Sequence, residues 1–380
     1  MTEQKAAGTG GWPGVPGRFD ELTSSWMEAA LRAGPVPGDG AGATGLDVEV
    51  ASVAVRPLGT TVGFLGDLAR VAITYARGDG PPTVIVKLPT ADPGGHQVGS
   101  ILRAWAREVA FYREVAPASP GAKVPRCWHT GADEAAGRWV VVLEDVPALP
   151  IDTGRGATSA QAGEAVGALA GFHAAWWDAG DDGPPAAGRF GWMPGFDTTG
   201  VGGLAPLWAD AHPRFLERYG HVVPSPTDRW LLALADWLGP WSARAATEPL
   251  TVVHADYRLD NLLIGEASVT MIDWQTALRG PGPMDLTSFV ATALTVEDRR
   301  VSEDGLIRRY ADGLEERGCR IDREWLLRSY DENLLWWMGQ FANNLSRLAP
   351  DDPDARRALD TMVERTFTAA LDRDCGRLLP

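Results

Sequence analysis

The stretch that decides the fold is residues 252–274, VVHADYRLDNLLIGEASVTMIDW. An apolar strand enters it, a polar loop follows, and two more short apolar runs, residues 262–264 and 269–272, lead to an aspartate. His254, Asp256 and Asn261 stand in the pattern H-x-D-x-x-x-x-N, with Asp273 just after Met271 and Ile272. Phosphoryl transfer asks little covalent chemistry of an enzyme, but it needs a carboxylate on the attacking hydroxyl and oxygen ligands on magnesium. Asp256 can accept or orient the hydroxyl proton, while Asn261 and Asp273 can hold the metal that bridges nucleotide phosphates. Asp and Asn also make turns wherever they occur. The order strand, loop, paired strands and terminal aspartate gives the pattern its weight. His254 reads as an organiser of the loop through its ring nitrogens rather than as a base.

Upstream, residues 48–86 hold the runs VEVASVAV, LARVAITYA and TVIVKL, rich in β-branched residues and broken by glycine and proline. They predict a small antiparallel sheet, joined by strands at 126–130 and 138–143. Lys87 closes the third run, and a lysine in so apolar a setting is costly unless paired. Glu108, on a helix expected over 98–115, is the natural partner, with Glu114 as a competitor. Such a pair would let Lys87 grip the α- and β-phosphates. Between two strands lies Gly59-Thr60-Thr61-Val62-Gly63-Phe64-Leu65-Gly66, whose glycines would let backbone amides approach phosphate. A plain hairpin turn is the alternative. The segment has neither GxxxxGK[ST] nor GxGxxG, which argues against a P-loop or a dinucleotide fold.

Downstream of Pro147 the periodicity is mainly helical, over 159–178, 204–219, 228–245, 297–317, 322–348 and 354–374. The expected class is α+β with two lobes. Residues 1–45 read as an N-terminal extension carrying a short helix at 20–32 between flexible Gly/Pro-rich connectors. Residues 46–146 read as a nucleotide-binding lobe, and 147–380 as a helical lobe with the catalytic loop and the acceptor site.

Composition narrows the partners. The 380 residues are 45% hydrophobic and 22% charged, as in globular domains. Fifty acidic against 35 basic residues give a net charge of −15, which repels a phosphate backbone and argues against nucleic acid. No apolar run is long enough to span a bilayer, so no membrane association is expected. Three scattered cysteines without a CxxC pair suggest neither disulfides nor zinc, and a reducing, cytoplasmic setting is expected.

The set VIVKLP, REVAFYREV, VVLEDV, LAGFHAAWW, VVHADYRLDNLLI, MIDWQ and GPGPMDLTSF resembles the aminoglycoside phosphotransferase and choline-kinase-like superfamily, most closely its ecdysteroid-kinase-like branch. The resemblance covers about residues 45–345. It implies a two-lobed protein-kinase-like fold: a small antiparallel sheet lobe, a larger helical lobe, ATP as substrate and Mg2+ as cofactor. By motif it makes Lys87 and Glu108 the phosphate-binding pair, Asp256 the catalytic base, and Asn261 and Asp273 the metal ligands. Gly59, Thr60, Thr61 and Gly63 would cradle phosphate. Glu144, Asp145 and Val146 would form the hinge whose backbone meets adenine, and Asp285 would brace the catalytic loop.

Two departures matter. The loop reads HAD where protein kinases have HRD, and no APE-like signature follows Trp274, which favours a small-molecule hydroxyl acceptor over a protein. A nucleotide-binding module without turnover is the alternative. Eleven of 16 tryptophans follow Pro147, among them Trp176, Trp177, Trp192, Trp336 and Trp337, and packing explains most of them. A helix face with Asp331, Glu332 and Asn333 could receive an amine-rich sugar. His173, among apolar neighbours and with no carboxylate beside it in sequence, reads as a packing residue.

Overall fold

Alternating apolar residues build the first sheet. Helix α1 (Ser24–Ala33) precedes strands β1 (Glu49–Leu58), β2 (Gly66–Arg77) and β3 (Thr83–Pro89). Helices α2 (Pro93–Ile101) and α3 (Ala104–Ala110) come next, then β4 (Cys127–Asp133) and β5 (Arg138–Glu144). The strands pair antiparallel in the order β1-β2-β3-β5-β4. This computed structural model describes residues 14–35, 45–58, 65–119, 121–149, 152–177, 190–195, 204–265, 268–346 and 352–380. Gly59, Thr60, Thr61 and Gly63 lie outside them, as do most of the Gly/Pro-rich connectors.

The chain divides into two compact units, residues 1–118 with 125–146, and residues 119–124 with 147–380. In the first, Val71, Ile73, Val84, Val86, Val140 and Val142 form one core with Leu22, Met27 and Leu31 from the α1 region. Period-two alternation puts the strand residues on one face, and α1 covers them. Polar bonds fix the helix there: Arg32 Nε donates to the Val48 carbonyl (2.8 Å), and Glu28 accepts from Val50 N (2.9 Å). Thr23 caps α1 by accepting from Trp26 N.

The single helix expected over 98–115 is broken in two. Arg103 adopts a left-handed conformation (φ 53°), and α3 runs on into a π-helical turn, Phe111–Val115. The break lets α2 lie against α3 at Gly99, where an added Cβ would stand 2.5 Å from the Trp105 ring.

The second unit is mainly helical. Its helices are α4 (Ser159–Ala175), α5 (Ala205–Tyr219), α6 (Thr227–Ala245), α7 (Pro283–Ala293), α8 (Val296–Glu315), α9 (Arg323–Leu345) and α10 (Pro353–Asp372). Strands β6 (Thr251–Val253) and β9 (Leu278–Gly280) pair, as do β7 (Leu262–Ile264) and β8 (Val269–Met271). Helix α7 has no counterpart in the sequence-based expectation. Ten of its eleven residues are buried, so it lacks the one-sided pattern that marks a surface helix. The short segment 119–124 is tied into this unit: Trp176 Nε1 donates to Ser119 Oγ (2.8 Å), and Met271 N donates to the Lys123 carbonyl (2.7 Å). Among the described residues, no helix is long and apolar enough to cross a membrane.

Candidate active site

In the sheet unit, β3 carries Lys87 into a desolvated position and α3 brings Glu108 to meet it. The ammonium stands 3.0 Å from Oε1 and 2.9 Å from Oε2, with the two side chains 9% and 2% exposed. Removing either partner would leave a buried, uncompensated charge. Gly66, registered opposite Pro89 on β3, makes room for the lysine: a Cβ there would lie 2.9 Å from Lys87 Cε.

At the far edge of this unit, the exposed Glu144 is tied to β4: its Oε2 accepts from Arg126 N (3.1 Å). Asp145 takes a forked pair from Arg70, at 2.7 and 3.0 Å.

In the helical unit, the loop after β6 is held from below by one carboxylate. Asp285, in the first turn of α7 and fully buried, accepts from His254 N (2.6 Å) and Ala255 N (2.8 Å). Ala255 is held in the left-handed region, φ 58°. His254 Nε2 donates to the Ile272 carbonyl (2.7 Å), so the imidazole joins the loop to the residue before Asp273. Asn261 does the same through its backbone, accepting from Ile272 N (3.0 Å). Asn261 and Asp273 therefore flank the same β7–β8 hairpin, with Asp273 also left-handed (φ 66°, ψ 65°). Non-glycine residues persist in this region only where the surroundings over-determine them.

Asp256 is engaged on both oxygens. Arg258 Nε donates to Oδ1 at 2.7 Å, and Asn261 Nδ2 donates to Oδ2 at 2.9 Å and to the Asp256 carbonyl at 2.8 Å. Burial pushes the carboxyl upward, and the Arg258 guanidinium pulls it back. The Asn261 amide nitrogen thus faces Asp256, and its Oδ1 is directed elsewhere. Asn261 Oδ1 and the Asp273 carboxylate are both hard oxygen donors, carried on residues at the two ends of the same hairpin. Among the described residues no three His, Cys, Asp or Glu side chains gather into a cage. A cation held by Asn261 and Asp273 would take its other ligands from phosphates and water, as Mg2+ does.

Arg258 is the residue that sequence reasoning missed. It bridges Asp256 and Asp260 (3.2 Å to the latter) with its side chain 17% exposed. The signal was the charge pattern: Arg258 stands between Asp256 and Asp260, two residues from each, and is itself extended.

Two expectations need correction. His173 does have a carboxylate neighbour, Asp285 Oδ2 at 3.2 Å, and its Nδ1 meets the Tyr310 hydroxyl at 2.7 Å. All three side chains are fully buried. Burial, and then the nearby Asp285 charge, hold the Tyr310 phenol well above its ordinary value, so it keeps its proton and donates to His173, which donates in turn to Asp285. The partner comes from 112 residues away, beyond the reach of local reading. The face with Asp331, Glu332 and Asn333 does not await an amine. Asp331 is paired with Arg373 and Arg377, Glu332 with Arg244 and Trp241, and Asn333 donates to the Ser329 carbonyl. Most of the named tryptophans are core: Trp176, Trp336 and Trp337 are buried, and Trp336 packs on Trp208 and Trp241.

Residues 70–325 match the phosphotransferase enzyme family APH. No curated protein matches the sequence significantly. Among solved structures, choline kinase from Cryptosporidium parvum Iowa II is similar at 12% identity and a TM-score of 0.50, over 85% of this chain and 89% of that one. Macrolide 2'-phosphotransferase MphH from Brachybacterium faecium is 15% identical, over 83% and 93%, with a TM-score of 0.43.

Proposed function

Since the chain belongs to the phosphotransferase enzyme family APH, we propose that it moves the γ-phosphoryl group of ATP, with Mg2+, to a hydroxyl of a small molecule. In this reading Asp256 orients the acceptor hydroxyl and takes its proton as the acceptor O–P bond forms and the bond from the γ-phosphorus to the β–γ bridging oxygen breaks, releasing ADP. Asn261 and Asp273 hold the cation, which neutralises charge on the phosphate oxygens. Lys87, fixed by Glu108, grips the α- and β-phosphates, and the backbone around Glu144 and Val146 receives the base. The observation that carries this reading is the Asp256 carboxylate clamped by Asn261 and Arg258, with Asp273 one residue beyond the hairpin contact of Asn261.

An ATP-consumption screen over hydroxylated amines, macrolides, nucleosides and steroids tests it, with Asp256→Ala as control. Turnover with one acceptor class, abolished in the variant, is expected. A turnover rate unchanged in Asp256→Ala would remove the catalytic assignment. Mg2+-dependent thermal stabilisation by ATP with no transfer to any acceptor would make the protein a nucleotide sensor instead.

A further inference from the structure

Helix α3 is only seven residues long and is followed by a π-helical turn. A helix this short is marginal alone and takes its position from tertiary contacts. One of those contacts is polar and specific. Trp105, 4% exposed and three residues before Glu108, donates its indole N–H to the Leu65 carbonyl at 2.6 Å. Residues three apart on a helix share a face. Leu65 directly precedes Gly66, whose missing side chain makes room for Lys87. The Leu65 carbonyl also accepts from Thr90 N (3.2 Å), just beyond β3. Around the indole stand His96, with ring centroids 4.7 Å away, and Trp139, at 5.7 Å.

We propose that Trp105 is a positioning residue for nucleotide binding: its N–H, through Leu65, fixes the start of β2 against the helix that carries Glu108. The inference rests on the nucleotide-binding reading of Lys87. Trp105 itself touches no reacting atom. It joins the end of the glycine-rich segment, β3 and α3 into one piece, so that the Lys87 ammonium and the backbone entering β2 keep a fixed separation. The Leu65 carbonyl has a second donor in Thr90 N, so removing the indole N–H does not by itself leave it unpaired. A purely structural tryptophan would show the opposite pattern, with bulk mattering and the N–H not.

The test compares ATP affinity in the presence of Mg2+, by calorimetry, with thermal midpoint in the full chain. Trp105→Phe keeps an aromatic ring and removes the donor. Benzothienylalanine at position 105 keeps the indole outline without the N–H, and it carries the test if the Phe variant does not fold. The expected result is an ATP dissociation constant raised by about 3–10-fold, the range for one lost hydrogen bond, with the midpoint moved by less than about 2 °C. Unchanged ATP affinity in a folded donor-less variant overturns the proposal, as does a loss of affinity that merely tracks a falling midpoint. Lys87→Met separates the two readings. If it weakens ATP binding while the Trp105 variants do not, only the role of Trp105 falls; if it leaves ATP affinity intact, the nucleotide reading falls with it.

Discussion

Both oxygens of Asp256 accept from residues of its own loop, Arg258 and Asn261, so its orientation is set before any ligand arrives. Asp256→Asn keeps the outline but removes the charge and turns one acceptor into an NH2 that faces a donor. We expect kcat to fall by about 10³-fold or more with ATP affinity nearly unchanged, read from steady-state kinetics and calorimetry. Arg258→Met removes a charge-assisted bond and leaves Asp256 and Asp260 side by side. The expected loss in kcat is about 10–100-fold, and added guanidinium ion should restore part of it; no restoration would mean that the arginine serves folding alone. The sequence exposed Asp256, Asn261 and Asp273 because all three lie within one short stretch. Arg258 went unread in that same stretch, since its meaning depends on how the loop folds its guanidinium back onto Asp256 and Asp260. The Lys87–Glu108 pairing was legible from the cost of an unpaired lysine in an apolar strand.

Elements set what those residues can do. Helix α7 exists, in functional respects, to deliver Asp285 to two backbone N–H groups and to the His173 ring. Asp285→Asn cannot serve both amides, because an NH2 group donates and does not accept. It should cost about 2–3 kcal/mol in urea unfolding, the desolvation penalty of a buried unpaired donor. Gly282, just before α7, lies beneath the same network, and a Cβ there would be 2.3 Å from the Tyr310 hydroxyl and 3.2 Å from His173 Nδ1. Gly282→Ala should therefore destabilise to a similar degree, whereas Gly239→Ala on α6, with open space at its Cβ, should not. Neither α7 nor β9 was readable in advance: a helix buried on every side has no amphipathic period, and a three-residue strand offers no alternation to count. The break at Arg103 was hidden too, because the sequence around it suits a continuous helix and only packing at Gly99 favours the turn.

On the scale of the whole molecule, the α1 region belongs to the sheet unit's core. Deleting residues 1–34 would strip Leu22, Met27 and Leu31 from that core, a loss of about 5 kcal/mol or more in burial alone, and should leave the sheet unit unfolded by near-UV circular dichroism. The same region shelters His129, which is fully buried and meets the Gly34 carbonyl through Nδ1 at 3.1 Å. Burial, with the Arg113 charge adding to it, depresses this imidazole from 6.5 to about 4. Between those values the unfolded chain binds a proton that the folded chain refuses, so stability falls as pH drops from about 6.5 to about 4, by up to about 3 kcal/mol. In His129→Gln this part of the pH dependence should disappear from urea midpoints taken across that range. The length of the helical remainder and the β-rich opening were plain in the sequence. The docking of α1 was not, because its partners are split between the start of β1, 16 and 22 residues on, and β4, where Trp26 meets His129 about a hundred residues away.

The segment 119–124 gives the chain three crossings between its units, at 118/119, 124/125 and 146/147. The halves are consequently not beads on a string. A fragment that begins at Pro147 lacks the Lys123 carbonyl that receives Met271 N and the Ser119 hydroxyl that receives the Trp176 indole. A chimera that exchanges the residues from Pro147 onward for those of a relative must therefore carry the hexapeptide 119–124 along with them.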